Sequence, residues 1–313
     1  MSQLSADLQV APSPKRRSGG LRRALRNAAK TSRGRTGLGL TLVVVLIAAI
    51  GPFIPGQDPN AFVGAPFAKP GTGSGLLGGD VLGRSVLART LHGGWELLTV
   101  ALIATALALI VGATVGVIAA YKEGWTDVLL MRSADVLLVI PQLVLALLLV
   151  SVSGSSAALI IVAVAVSQAP QVARVVHASA QNVCERDFVK AVALWGVPPR
   201  RVIFGQVLPN LVTPLSVEAG LRLSFSIIMI SGLNFLGFGV TPPDPSWGVM
   251  INENRIGLGI NAWGVLAPAI LLGILAVGTN LFADAIARAN LGGDHSEVFE
   301  ITASLPQEQA DGR

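Results

Sequence analysis

Continuous apolar runs of about twenty residues recur along this chain, and they dictate a membrane fold rather than an aqueous one. Six stand out, at 37–54, 97–120, 128–150, 156–176, 212–233 and 263–287. None alternates polar and apolar residues as a transmembrane barrel strand does. Of the 313 residues, 52% are hydrophobic and only 13% charged, whereas soluble domains carry about 25% charged residues. Such a chain is too apolar for a water-soluble or a disordered protein. The expected fold class is an all-α integral membrane protein with six transmembrane helices. The first run reads as an uncleaved anchor rather than a signal peptide, because a long basic region precedes it and more runs follow. In the fourth run Ser167, Gln168, Pro170 and Gln171 interrupt the second half, and Pro170 is a candidate kink.

Charge fixes the expected orientation. Six crossings put both termini on one side. Residues 1–36 hold nine of the 23 Lys and Arg residues, and with that tail inside, 17 basic residues fall on its side and 4 on the other. The positive-inside rule then places both termini in the cytosol and the chain in the cell (cytoplasmic) membrane as a multi-pass protein. The net charge of +5 is thus chiefly a topology signal. No aromatic residues interleave with the basic block, so nucleic acid is not an expected partner, whereas anionic lipid headgroups are. Cys184 is the only cysteine, which leaves no intrachain disulfide and no cysteine metal cluster.

These features divide the chain into a basic cytosolic tail (1–36) and a first transmembrane helix with its outside segment (37–95). A five-helix transmembrane domain (96–288) follows, with an inside loop at 177–211, and then an acidic tail (289–313) expected to be mobile. The outside segments 56–95 and 239–262 are rich in Gly and Pro in places. Chemistry for an enzyme is missing. The sequence has no G-x-x-x-x-G-K-[ST] and no H-E-x-x-H. His92, His177 and His295 lie in three different segments, and neither Ser153-Gly154 nor Ser231-Gly232 has a glycine two before the serine. The patch Gly71, Gly73, Gly75 reads as a flexible linker.

The inside loop carries most information. Phe188 to Trp195 has good helix formers, Gly196 can take the positive φ of a helix C-terminal cap, and Pro198-Pro199 suits the first turn of a second helix. That second helix is expected to run from Arg200 to Leu208 and end at Pro209. A helix–turn–helix between two spans presents a rigid knob to a soluble partner.

This segment resembles the EAA loop of ABC importer permeases, whose pattern is Glu-Ala-Ala, a glycine four residues on, then Ile and Leu-Pro. Here Lys190-Ala191-Val192 stands at the triplet, Gly196 at the glycine, Ile203 at the isoleucine and Leu208-Pro209 at the end. Lys190 and Val192 depart from the usual Glu and Ala. Leu77–Arg89 is similar to the L-G-T-D-x-L-G-R-D-V-L-S-R stretch of the dipeptide/oligopeptide/nickel permeases. Met131–Asp135 with Ile140-Pro141 is similar to their M-R-x-x-D…F-P, and Asn234–Gly248 to their L-S-F-L-G-L-G-V-Q-P-P-x-P-S-W-G. The four motifs stand in the family's order across about 76–288, and the extra first span matches its C-type permease. The family's terminal L-D-P-R is not matched by Asn290-Leu-Gly-Gly.

The resemblance implies a type I ABC importer permease fold and one subunit of an ATP-driven importer for peptides or related small solutes. It also implies several partners: a second permease, two ATPase subunits or domains, and an extracytoplasmic solute-binding protein. No cofactor is expected on this chain, since ATP and Mg belong to the ATPases, which hydrolyse the nucleotide. The implied ATPase-coupling residues are Phe188, Lys190, Ala191, Val192, Gly196, Ile203, Leu208 and Pro209, and the outside segments are the docking candidates for the binding protein. The alternative is a stand-alone secondary transporter or channel, but the inverted halves or paired broken helices of that class are not visible.

Within the spans, Glu218 and Arg222 stand four apart, on one helix face in the better order for an ion pair. Intramembrane charges point by default to a bundle interior or a water-lined path. The pair is either a structural brace or a contact for a zwitterionic substrate. Arg132 and Asp135 fit interface anchoring or a gate, Gln168 and Gln171 fit a path or helix contacts, and Trp125, Trp247 and Trp263 read as an aromatic belt.

Overall fold

A computed structural model describes residues 26 and 28–303, apart from 55, 57, 72–74, 154–155 and 240–243. Most of the basic tail, Gly73, the Pro242-Pro243 pair and residues 304–313 therefore lie outside the described residues. Among the described residues the regular elements are helices, with two isolated β-bridges in the segment before Val86. Helix α1 (Ser32–Ile50) leads into a 3-10 turn; α2 (Val86–His92) and α3 (Gly94–Lys122) follow the first outside segment. Then come α4 (Gly124–Val139), α5 (Gln142–Ser153), α6 (Ala157–Cys184), α7 (Asp187–Leu194) and α8 (Pro199–Val202). A π turn (Ile203–Val207) and the short α9 (Leu208–Asn210) lead to α10 (Val212–Phe235), α11 (Trp247–Asn254) and α12 (Trp263–Ala303). Among the described residues, five helical segments are long and apolar enough to cross a membrane, and α4 with α5 makes a sixth if the bent pair is one span.

Local chemistry sets the ends. Thr31, Ser85 and Ser156 accept the N–H groups of Gly34, Ala88 and Leu159, which caps α1, α2 and α6. Between α3 and α4 the chain turns through Glu123 and Gly124, with φ of +50° and +60°.

The bundle is joined by small residues. Helices α3 and α6 make the most extensive contact and run parallel. A Cβ on Gly112 would stand 2.6 Å from the Ala169 carbonyl oxygen, and one on Gly116 would stand 2.5 Å from that of Ala173. The G-x-x-x-G spacing in α3 thus lets the two backbones approach, as small residues do between membrane helices. Gly37 and Gly278 bring α1 and α12 together in the same way, antiparallel. One core cluster joins α1, α3, α5, α6, α10, α11 and α12 around Ala101, Ile227, Leu233 and Trp247; a second lies at the end that carries residues 184–211, called here the loop end.

Four elements differ from the sequence expectation. The third apolar run is broken: α4 and α5 meet at 89°, because Pro141 pushes the preceding Ile140 out of the helical region (ψ +127°). Helix α6, in contrast, runs past Pro170 without a break to Cys184. The loop's second helix is not regular: a π turn interrupts it, with Leu208 donating to Ile203 O five residues back, and it ends at Asn210, one residue past Pro209. Helix α12 continues to Ala303, beyond the expected end of the sixth run; no proline interrupts it there.

Trp247 is the clearest correction. It does not sit in an aromatic belt but is fully buried, donating Nε1–H to Thr90 O at 2.7 Å. Gly94 makes room for it: a Cβ there would lie 2.5 Å from the indole ring. Trp125 and Trp263 are exposed.

Candidate coupling loop and intramembrane polar chain

The loop between α6 and α10 is built as a braced knob. Asp187 opens α7, where a carboxylate favours the helix N-terminus. One face of α7 turns inward: Val189 is buried and packs, with Val202, Val207 and Leu211, on Val176, Ala180 and Val183 of α6 and Val117 and Ala120 of α3. Gly196 stops the helix with φ +74°, a conformation that costs a residue with a Cβ dearly. Pro198 and Pro199 then start α8 in the first-turn position where a missing N–H is harmless. The loop therefore rests on the ends of two spans and would move with them.

The sequence-derived coupling residues separate into two groups. Phe188, Lys190, Gly196 and Pro209 are exposed, whereas Ala191, Val192, Ile203 and Leu208 are half-buried, and the last three pack on the cluster that holds the loop to the bundle. The most exposed apolar side chains of the loop were not among them: Leu194 is 87% and Trp195 80% exposed. Two large apolar groups are thus held in the open at the end of α7. The available signal was their place immediately before the capping glycine.

Inside the bundle a chain of polar groups links three helices. Glu218 and Arg222 are both about 4% exposed, with Glu218 Oε1 2.8 Å from Arg222 Nε. Arg222 Nη1 donates to Gln171 Oε1 at 3.0 Å, and Gln142 Nε2 donates to the same oxygen at 2.7 Å. The guanidinium also lies 4.9 Å from the ring centre of Phe225. Gln142 is the first residue of α5, just past the break at Pro141, so the chain runs from α10 through α6 to the hinge of the bent span. Gln168, by contrast, belongs to a separate group: its Nε2 donates to Ser226 Oγ, which also pairs with Thr105 Oγ1, each at 2.8 Å. Asp135 pairs with Arg174 of α6 and, more loosely, with Arg132 at 3.8 Å, so this carboxylate ties α4 to α6.

The opposite end holds an ion cluster that sequence reasoning missed. Asp80 Oδ2 accepts from Arg84 Nε at 2.8 Å and lies 3.3 Å from Arg89 Nε, while Glu253 Oε2 accepts from both arginines at 3.3–3.4 Å. Asp80, Arg84 and Arg89 are all buried. Asn254 and Asn261 add bonds to Val81 N and to the carbonyls of Leu77 and Gly79. The segments 76–92 and 247–262 are thereby fastened together at the end opposite the loop. The i, i+4 spacing of Asp80 and Arg84 was legible, but Glu253 stands 169 residues from Arg84.

Residues 112–291 match the family model described as "Binding-protein-dependent transport system inner membrane component". The chain is 34% identical over 258 residues to the di/tripeptide transport system permease protein DppC of Pseudomonas aeruginosa, covering 80% of this chain and 84% of that protein. It is 32% identical over 268 residues to the oligopeptide transport system permease protein OppC of Mycobacterium tuberculosis, covering 85% and 91%. Among solved structures it resembles a chain of the inward-facing MetNI methionine ABC transporter, with a TM-score of 0.50 and 21% identity over 63% of this chain and 94% of that one. At that identity the likeness speaks for the fold alone.

Proposed function

We propose, from the premise that the chain belongs to the binding-protein-dependent transport inner membrane component family and is the permease subunit of an ABC importer, that its cargo is a short peptide. Relatives named for di/tripeptide and oligopeptide transport cover most of its length, which supports this cargo class over other solutes. The chain forms half of the path with a second permease. Two ATPase subunits or domains dock at the loop end, bind ATP and Mg, and hydrolyse the nucleotide; this chain does not. A solute-binding protein docks on the outer surface formed by 56–95 and 239–262.

The observation that carries the coupling role is the loop's construction: Leu194 and Trp195 are exposed at the end of α7, while Val189 on its inner side joins the buried cluster that the loop forms with α3 and α6. Closure of the ATPases on ATP would move that knob, and α3 and α6 with it, as a rigid body toward the outward-open state. Phe188, Lys190 and the Gly196 cap shape the docking face, Ala191, Val192, Ile203 and Leu208 form its base, and exposed Pro209 lies at the loop's far end. The excess of basic residues at this end supports its placement in the cytosol with both termini. Glu218 and Arg222 act as a brace rather than a peptide contact, because both are buried within one subunit and Arg222 is already held by Gln171.

Reconstitution tests the function. Proteoliposomes holding the two permeases and the ATPases, supplied with binding protein outside and ATP inside, are expected to accumulate labelled di- and tripeptides. Uptake that proceeds without ATP, or that ignores peptides in favour of another solute, would overturn the reading.

A further inference from the structure

The loop end contains a groove of about 980 Å³ between α3, the π turn and the start of α10, near the upper limit of about 1,000 Å³ for small-molecule sites. Its walls are apolar, with Ala113 on one side, Ile203 and Phe204 of the π turn on the other, and Leu215 nearby. Two cations line it as well, Lys122 and Arg200, and no carboxylate does. Neither cation is in an ion pair among the described residues.

The register of the helices places these charges. Helices α3 and α10 run antiparallel, with Thr105 opposite Ser226. Lys122 ends α3, and Arg200 lies in the loop before α10. Both cations therefore come from the loop end, at the level where a span leaves the bilayer. The α3 wall begins at Leu109 and ends at Lys122, which at about 1.5 Å per residue is about 20 Å. One leaflet of hydrocarbon is about 15 Å thick. The groove thus spans the hydrocarbon of one leaflet and reaches the headgroup level, mostly apolar along its length and positive at its mouth. The docking face of Leu194 and Trp195 takes no part in lining it.

We propose that this groove is a binding site for one anionic glycerophospholipid, its acyl chains along Ala113 and Phe204 and its phosphate between Lys122 and Arg200. Basic pockets between transmembrane helices on the cytoplasmic side recognise such headgroups. The bound lipid fills the gap under the π turn and joins the base of the coupling loop to α3. Only the choice of leaflet rests on the orientation proposed above.

Native mass spectrometry of the assembled transporter, released from nanodiscs of equal parts phosphatidylglycerol and phosphatidylcholine, tests the site. One phosphatidylglycerol should stay with each copy of this chain. Each cation near the headgroup is worth about fivefold in affinity, so Lys122→Gln with Arg200→Gln should lower its retention about thirtyfold. The pair Lys122→Arg with Arg200→Lys should restore it, and Ala113→Phe should block it by filling the groove. Equal retention of both lipids, indifference to the double substitution, or a photo-cross-linker at Phe204 that captures a protein chain would overturn the proposal. Orientation is read separately, by impermeant maleimide labelling of Trp125→Cys in a Cys184→Ser chain. Labelling from outside intact cells would refute the cytosolic placement while leaving the headgroup selectivity as measured.

Discussion

Replacing Glu218 and Arg222 singly and together distinguishes a brace from a substrate contact. Their charged atoms are 2.8 Å apart, and both side chains are about 5% exposed. At an effective dielectric constant of about 20 that separation gives an attraction of about 6 kcal/mol. Removing two charges from water costs several kcal/mol per ion, so attraction and desolvation nearly cancel for the intact pair. They do not cancel for a lone survivor. Arg222→Met leaves Glu218 buried without its cation, and Glu218→Leu leaves Arg222 with Gln171 alone. Each single change should cost about 3–5 kcal/mol. The double change removes both charges and deprives Gln171 of one donor while Gln142 remains, so it should cost only about 1 kcal/mol. The expected coupling is therefore about 5–9 kcal/mol. Unfolding of the purified chain by SDS titration in mixed micelles, followed by tryptophan fluorescence, measures all three differences. Additivity within about 0.5 kcal/mol would refute the brace. So would a double variant that keeps wild-type stability but shifts peptide selectivity, which would mark a substrate contact.

Two further outcomes follow from backbone geometry. Gly116→Val places a side chain against the Ala173 carbonyl and the backbone of His177; the overpacking should cost about 1–3 kcal/mol in the same assay, whereas replacing the open Gly273 should leave stability nearly unchanged. Gly196→Pro cannot adopt φ +74°, so the chain should insert and assemble while ATP-driven uptake falls to background; uptake at the wild-type rate would show that the cap shape is dispensable.

The spans and the loop were legible because each is a local pattern. An apolar run needs only its own composition to demand a bilayer, and Gly196 followed by Pro198-Pro199 carries its helix stop and restart in six residues. Partners were not legible. Trp247 reads as an interfacial aromatic until Gly94, more than a hundred positions earlier in the chain, is seen to vacate space for its ring. Gln142 looks unremarkable until the bend at Pro141 brings it to Gln171. The Asp80, Arg84, Arg89 and Glu253 cluster likewise joins two segments that share no periodicity. The π turn at Ile203–Val207 is one backbone register that no propensity scale expresses. Gly112 and Gly116 did carry a readable G-x-x-x-G signal, overlooked because the run around them is so uniformly apolar.

Whether an ATPase grips the α7 knob is the most direct question. A photo-cross-linking residue in place of Trp195, activated in membranes holding the assembled importer, should capture an ATPase subunit in high yield, and the same residue in place of exposed Trp125 should capture far less. Capture of lipid or of no protein at Trp195, with ATP-driven uptake intact, would contradict the assignment of this loop as the coupling element.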